Sequence, residues 1–510
     1  TNLPNPEINK HSVMLSSGPS MSRSRKQGAE TDTTITTSKG EVAFATINAL
    51  GHMIPMLPMM GELLHRGYNV TIFCPSSPKF KNTLMQWDLK DVKVVGFEGQ
   101  ELGESVLKEQ SLWTVLSKGG PLAAISENIF PAMVQHYQSE LPVAVIADFF
   151  ATAALDAGEF LGVPTFGFFP NPSGMTSLLS PHLRGWLDIP HVWFCLFTEG
   201  VLARLLCLGR NRERAQREAM YRLPPLLEQD IYPSLSMQKP ILASSAIGFE
   251  YAFPHSHLLQ YTGPSPPCNE KTRDLRTSAP ELSEWMMQQE AVMYVAFGTQ
   301  HSFNKESVNV LYEQLKRVTS GCNKFQAHRV SVLWSLPSCQ QELLHTTSTD
   351  HMTNNIRLET FVPQWDVLAS PKTVVFVTHC GANSLYEALL TGTPVVCCPG
   401  KADQPANAAR VVSANVGVLS KRGVYSVEAA LLEVLTAVDM FTENACKIRD
   451  IFKRQGGAST GADFVEKIME SGTRHLTLPY ETCGRYSWTT WCGVIIAAAV
   501  AALSTAVHHQ

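Results

Sequence analysis

The sequence predicts an α/β protein of two facing domains, each a parallel sheet covered by helices. Three observations carry this. A strand–helix–strand order fills some 35 residues after position 40, the same rhythm returns in the second half, and a Pro/Gly-rich stretch separates the two. At 510 residues the chain also exceeds what one hydrophobic core serves.

Residues 1–40 are rich in Ser, Thr, Asn and Lys and contain no apolar run, so they read as a disordered tail with too little to bury. The first domain is expected over 41–262. It opens with an apolar strand, Glu41–Ile47, then a turn at Gly51-His52, a helix from Ile54 to His65 closed by Gly67, and a strand from Asn69 to Cys74. Further strands are expected at Val94–Phe97, Val143–Ala147 and Thr165–Phe169. The periodicity from Ser173 to Pro240 is helical and irregular, as for a segment lining a pocket.

Four breakers in Tyr261-Thr-Gly-Pro-Ser-Pro-Pro267 start a linker, placed at 263–280. The second domain is expected over 281–475, including the C-terminal helices. Its strands are Val292–Phe297, Val330–Trp334, Ile356–Phe361, Val374–Val377 and Pro394–Cys398, with helices at Asn383–Leu390 and Pro405–Val412. Runs such as VVFV and PVVCC suit a sheet covered on both faces. Ligands of such sheets bind beyond the strand carboxyl ends, so two facing sheets create an interdomain cleft there.

The tail 476–510 contains Trp488–Val507, about 20 residues without a charge. As a helix it would run roughly 30 Å, the thickness of a bilayer core. It reads as a membrane anchor, with a packed C-terminal helix as the alternative. No signal-peptide core is visible near the start, which points to a cytosolic or cytosol-facing protein.

Composition excludes little but consistently. The net charge is −4, and the basic cluster Arg210, Arg212, Arg214, Arg217 reads as one solvated helix face, so no nucleic-acid partner is expected. The 12 cysteines show no Cys-x-x-Cys pair and read as buried thiols of a reducing compartment. Neither His255/His257 nor His508/His509 has acidic or Cys company, so no metal site is expected.

Chemistry concentrates at Thr378-His-Cys-Gly-Ala-Asn-Ser384, between the VVFV strand and a helix. A strand ending in a Gly turn at a helix start presents unpaired N–H groups and a positive dipole end, a site for a diphosphate. His379, Asn383 and Ser384 add donors there, and Glu387 follows on the helix with a carboxylate suited to ribose hydroxyls. Neither G-x-G-x-x-G nor G-x-x-x-x-G-K-[ST] occurs, which weakens dinucleotide-cofactor and ATPase readings.

The stretch Phe361-Val-Pro-Gln-Trp-Asp-Val-Leu-Ala-Ser-Pro371, then Phe376–Ser384, Glu387, Gly392-Thr-Pro394, Pro399 and Asp403-Gln404 resembles the donor-binding signature of UDP-glycosyltransferases. Order and spacing match over about 45 residues; a looser likeness runs from Glu41 to Ser471 and includes Tyr294–Thr299. The resemblance implies a GT-B fold of two Rossmann-like domains and a UDP-sugar as co-substrate, with no cofactor and no metal. It also implies that Phe361 stacks on uracil and that Gln364 lies near base and ribose. Glu387 would bind ribose; Thr299, His379, Gly381, Asn383 and Ser384 would form the diphosphate site; Asp403 and Gln404 would bind the sugar. The plant pattern has Trp at the positions of Phe361 and Ala382. Phe still stacks, whereas Ala382 removes a wall near the sugar.

The family places its catalytic base where His52 stands, at the end of the first strand, with Asp148 after VAVIA as the matching carboxylate. Imidazole titrates in the range a general base needs, and a carboxylate orients it. The expected activity is inverting transfer of a hexose, glucose first, from a UDP-sugar to a hydroxyl of a small lipophilic acceptor. Met56, Met59, Met60, Phe149, Phe150, Phe166, Phe168, Phe169 and Trp186 read as core or acceptor-pocket lining. The alternatives are a catalytically silent UDP-sugar-binding protein and, more remotely, a Rossmann oxidoreductase.

Overall fold

The computed structural model describes residues 38–98, 128–170, 220, 239–250, 258–267, 274–298, 302–321, 329–344, 355–400 and 403–472. Thr299, Trp186, the basic cluster, His255 and His257, most of the segment 173–240, residues 1–37 and the segment 488–507 lie outside the described residues.

The first sheet has seven strands: β1 (Glu41–Ala45), β2 (Asn69–Pro75), β3 (Lys93–Phe97), β4 (Ala144–Asp148), β5 (Thr165–Phe169), β6 (Ile241–Ala243) and β7 (Leu259–Tyr261). Their order is β3-β2-β1-β4-β5-β6-β7, with every described pairing parallel. The second sheet has β8 (Ala291–Ala296), β9 (Val330–Ser335), β10 (Ile356–Glu359), β11 (Thr373–Thr378), β12 (Val395–Cys397) and β13 (Gly417–Leu419), in the order β10-β9-β8-β11-β12-β13, again parallel. Both orders reverse direction once, between β1 and β4 and between β8 and β11. These are the switch points of doubly wound sheets, where the connecting loops diverge and leave a crevice.

Both faces of each sheet are buried, which is why the strands lack polar alternation. Along β1, Val42 and Phe44 enter one core cluster while Ala43 and Ala45 enter another. Along β8, Val292, Tyr294 and Ala296 face one layer and Met293 and Val295 the other. Met56, Met59 and Met60 belong to the first of these cores, as do Phe166 and Phe168.

Several expectations need correction. The helix expected from Ile54 begins earlier and breaks: Leu50–Met53 forms one helical turn, Ile54–Met56 a 3-10 turn, and α1 runs from Leu57 to His65. Pro55 and Pro58 lie at the starts of the two later pieces, where a missing N–H costs nothing. Strands β6, β7 and β13 were not expected: each has three residues, and unlike β12 none sits in a run as apolar as PVVCC. The linker contains a helical turn, Leu275–Ser278, whose N-cap Asp274 accepts from the Arg276 amide at 2.9 Å.

The largest correction concerns the chain's last described helix. Helix α2 (Thr152–Leu161) flanks the first sheet; α3 (Ala382–Thr391), α4 (Gln404–Ser413) and α5 (Val438–Gln455) flank the second. Helix α6 (Ala458–Ser471), assigned with the second domain by sequence order, packs on the first sheet instead. Its Ala462, Val465 and Ile468 join the core of β1, β2 and α1. Arg66 at the end of α1 fastens it through Asp463 at 2.7 Å and Glu466 at 2.6 Å.

Candidate active site

The switch point of the first sheet brings His52 and Asp148 together. Ala45 of β1 pairs with Ala147 of β4, so the turn after β1 and the last residue of β4 are neighbours. His52 Nδ1 stands 2.9 Å from Asp148 Oδ2, and Asp148 Oδ1 accepts from the Phe150 amide at 2.9 Å. Asp148 is fully buried, whereas the His52 side chain is 20% exposed. A carboxylate only accepts, so Nδ1 carries the proton and Nε2 carries the free lone pair. Phe149 and Phe150 flank the imidazole, with ring centroids at 5.3 and 5.2 Å.

Burial opposes the imidazolium form of His52, but attraction to Asp148, the hydrogen bond to it and attraction to Asp403 outweigh that, so its pKa lies above 6.5. Asp403 belongs to the second half of the chain. A direct bond ties the halves at this point too: the Asn383 amide donates to the Gly51 carbonyl at 3.1 Å.

A second group of the expected site residues gathers at the second switch point. β8 and β11 are neighbours, and His379 follows β11. It lies between two glycines. A Cβ at Gly381 would come within 2.5 Å of its Nε2, and one at Gly298, where φ is +72°, within 2.9 Å of its Cε1. Only hydrogen at both positions admits the ring. Cys380 has φ +62°, a strained conformation for a non-glycine residue that is held where the loop turns into α3. Gly381 is the N-cap of α3 and offers no side-chain cap, so the first-turn N–H groups stay available to an anion. Asn383 and Ser384 lie in that turn.

Gln364 opens the helix Gln364–Leu368 and donates to Glu387 at 2.6 Å and to Ser384 at 3.2 Å, while Tyr294 donates to it at 3.4 Å. These bonds draw Gln364, Ser384 and Glu387 into one group. Phe361 is 75% exposed, an unusual position for a large aromatic side chain. Asp403 stands at the N-cap position of α4 without capping it by its side chain, and Gln404 accepts from the Gly400 amide at 2.8 Å. Burial pushes the Cys380 thiol well up and raises Cys74 to about 12, so neither is a thiolate nucleophile. Among the described residues no three His, Cys, Asp or Glu side chains are grouped as a metal ion would need.

Sequence reasoning missed Glu250, Asn407 and Arg410, which lie behind Asp403 in a buried polar chain. The available signal was an arginine on the otherwise apolar, small-residue face of QPANAARVVS.

A family model described as UDP-glucoronosyl and UDP-glucosyl transferase matches residues 253–477. UDP-glycosyltransferase 82A1 of Arabidopsis thaliana is 24% identical over 469 residues, covering 81% of this chain and 94% of the relative. The chain is thus similar to UDP-glycosyltransferases, by the family model over 253–477 and by relatives along most of its length. Anthocyanidin 3-O-glucosyltransferase 2 of Fragaria ananassa is 30% identical over 200 residues, covering 36% of this chain and 40% of that relative. Among solved structures, the glycotransferase of kitacinnamycin superposes with TM-score 0.61 at 18% identity, over 84% of this chain and 98% of that one. Os79 from O. sativa in complex with UDP gives 0.57 at 20% identity, over 84% and 99%. The fold is therefore GT-B, two Rossmann-like α/β domains with parallel sheets, as the family resemblance implied. Among the described residues no helix is long and apolar enough to cross a membrane.

Proposed function

We propose that the chain transfers a hexose, glucose first, from a UDP-sugar to a hydroxyl of a small lipophilic acceptor with inversion at the anomeric carbon. The observation that carries this is the His52–Asp148 pair, tied to the start of α3 by the Asn383–Gly51 bond. His52 Nε2 takes the acceptor's hydroxyl proton, and the oxygen bonds to the anomeric carbon. The carbon–phosphate-oxygen bond breaks on the opposite face, and UDP leaves with the electron pair. Asp148 stabilises the imidazolium that forms.

In this reading the open N–H groups at Gly381 and α3, with His379, Asn383, Ser384 and Thr299, hold the diphosphate, so no metal is needed to neutralise the leaving group. Phe361 covers the uracil, Gln364 and Glu387 take the ribose, and Asp403 and Gln404 take the sugar hydroxyls. Phe149 and Phe150 beside His52 make the acceptor side apolar and aromatic, which favours phenolic or other lipophilic acceptors. UDP release from UDP-glucose with a panel of lipophilic alcohols and phenols tests this. Acceptor-dependent release that collapses in His52→Ala supports it; UDP binding without release from any pair of substrates favours a silent binder.

The uncharged segment 488–507 is proposed to hold the protein at a membrane from the cytosolic side. Partition of the full chain, compared with a chain ending at 487, tests that separately.

A further inference from the structure

A buried polar chain runs from Asp403 into the protein interior, and the donor site alone gives it no role. Asp403 Oδ2 accepts from Asn407 Nδ2 at 2.7 Å, and the same nitrogen donates to the Cys380 carbonyl at 2.7 Å. Asn407 Oδ1 accepts from the Arg410 guanidinium, whose other terminal nitrogen binds Glu250 Oε1. The Ser245 hydroxyl donates to that carboxylate oxygen at 2.5 Å, and the guanidinium lies 5.0 Å over the Phe249 ring. Asn407 is fully buried, and the Arg410 and Glu250 side chains are 1% and 2% exposed. An ion pair this deep adds little stability, because desolvating two charges offsets their attraction. Its contribution is direction.

The direction follows from donor and acceptor chemistry. A guanidinium only donates, so the Asn407 oxygen faces Arg410; Asp403 and the Cys380 carbonyl only accept, so the nitrogen faces them. Reversing the amide would break all three bonds. One side chain thereby spans the strained Cys380 of the loop before α3 and the carboxylate of Asp403 at the N-cap position of α4.

We propose that Asn407, locked by Arg410 and Glu250, is a positioning residue that aims the Asp403 carboxylate at the donor sugar and fixes its distance from the diphosphate loop; this rests on Asp403 being a sugar-binding residue. The lock comes from the first half of the chain. The segment after β6 carries Ser245 and Glu250, and it inserts Ala246 and Phe249 into the core of the second sheet. The first domain thus reaches the sugar end of the donor site through the interior as well as across the cleft.

The test compares affinities for UDP and UDP-glucose in the full chain, since both share the diphosphate cradle and only one presents sugar hydroxyls. Asn407→Asp keeps shape and the Arg410 contact but removes both donated bonds and sets a carboxylate against Asp403. It should weaken UDP-glucose about tenfold more than UDP. Asn407→Ala, which adds no charge, should move the ratio the same way and covers the case in which N407D does not fold. Asp403→Ala is the control for the underlying reading. A ratio unmoved in D403A would remove Asp403 from the sugar site, and the proposal with it. A ratio that moves in D403A but stays put in the folded Asn407 variants would overturn the positioning role alone, as would a failure of both variants to fold.

Discussion

His52 Nδ1 and Asp148 Oδ2 meet at 2.9 Å although 96 residues separate them in the chain. The contact exists because β1 and β4 are adjacent parallel strands at the point where the sheet order reverses, so both residues leave the sheet at the same edge. A fixed Nδ1 proton leaves Nε2 as the only lone pair offered to the cleft.

Replacing either partner should therefore silence transfer without emptying the donor site. His52→Ala is expected to lower turnover by about 10²–10⁴-fold, and Asp148→Asn by about 10²-fold or more, since an amide can donate to Nδ1 and select the wrong tautomer. UDP release measured beside a UDP titration separates the two effects: lost turnover with retained UDP affinity is the expected pattern.

The pH dependence follows from the same pair. In the proposed mechanism His52 acts as neutral imidazole, and its pKa lies above 6.5, so activity should rise with pH through that raised value. Asp148→Asn removes the attraction and leaves burial, so whatever activity remains should rise at a lower pH. Stability runs the other way. A histidine whose folded pKa is raised stabilises fully below its unfolded pKa, near 6.5, and loses that contribution as pH rises through the folded value. Activity profiles and thermal melts of wild type and D148N across that window would check both signs.

Phe361 is three-quarters exposed, so its removal should cost binding and not folding. Phe361→Ala is expected to weaken UDP by about tenfold, the scale of one lost base–aromatic stack, with an unchanged melting temperature. Equal UDP affinity in the two proteins would place the base elsewhere.

Gly381→Ala examines the wedge around His379. The added Cβ meets Nε2 at 2.5 Å, a distance that forces the imidazole out of its slot between Gly298 and Gly381. The backbone itself tolerates alanine, since φ there is −62°. UDP affinity should drop several-fold while the fold persists, as calorimetry on the single variant would show.

Much of this was legible in the chain. The βαβ rhythm, the fully apolar strands and the Pro/Gly break predicted two parallel sheets, because burial on both faces leaves a local compositional mark. The proposed donor residues other than Thr299 were nameable because they fall within residues 361–404, at the ends of β10, β11 and β12 and the helix starts that follow. Asp148 was named only through the family resemblance, since nothing local to VAVIADFF says which histidine it faces.

Local sequence could not show what long-range packing decided. Helix α6 reads as the end of the second domain, yet its apolar stripe of Ala462, Val465 and Ile468 completes the first core. Glu250, Asn407 and Arg410 come from distant stretches, and each looks like an ordinary surface polar residue until burial makes their pairing compulsory. The sequence by itself determined the two sheets, the Gly-containing turn between β11 and α3 and the residue types that line it, because those depend on local pattern. The tertiary structure alone decided which histidine nitrogen is free, how the halves are fastened and what stands behind Asp403, because such relations arise only when strands and helices far apart in sequence share one interior.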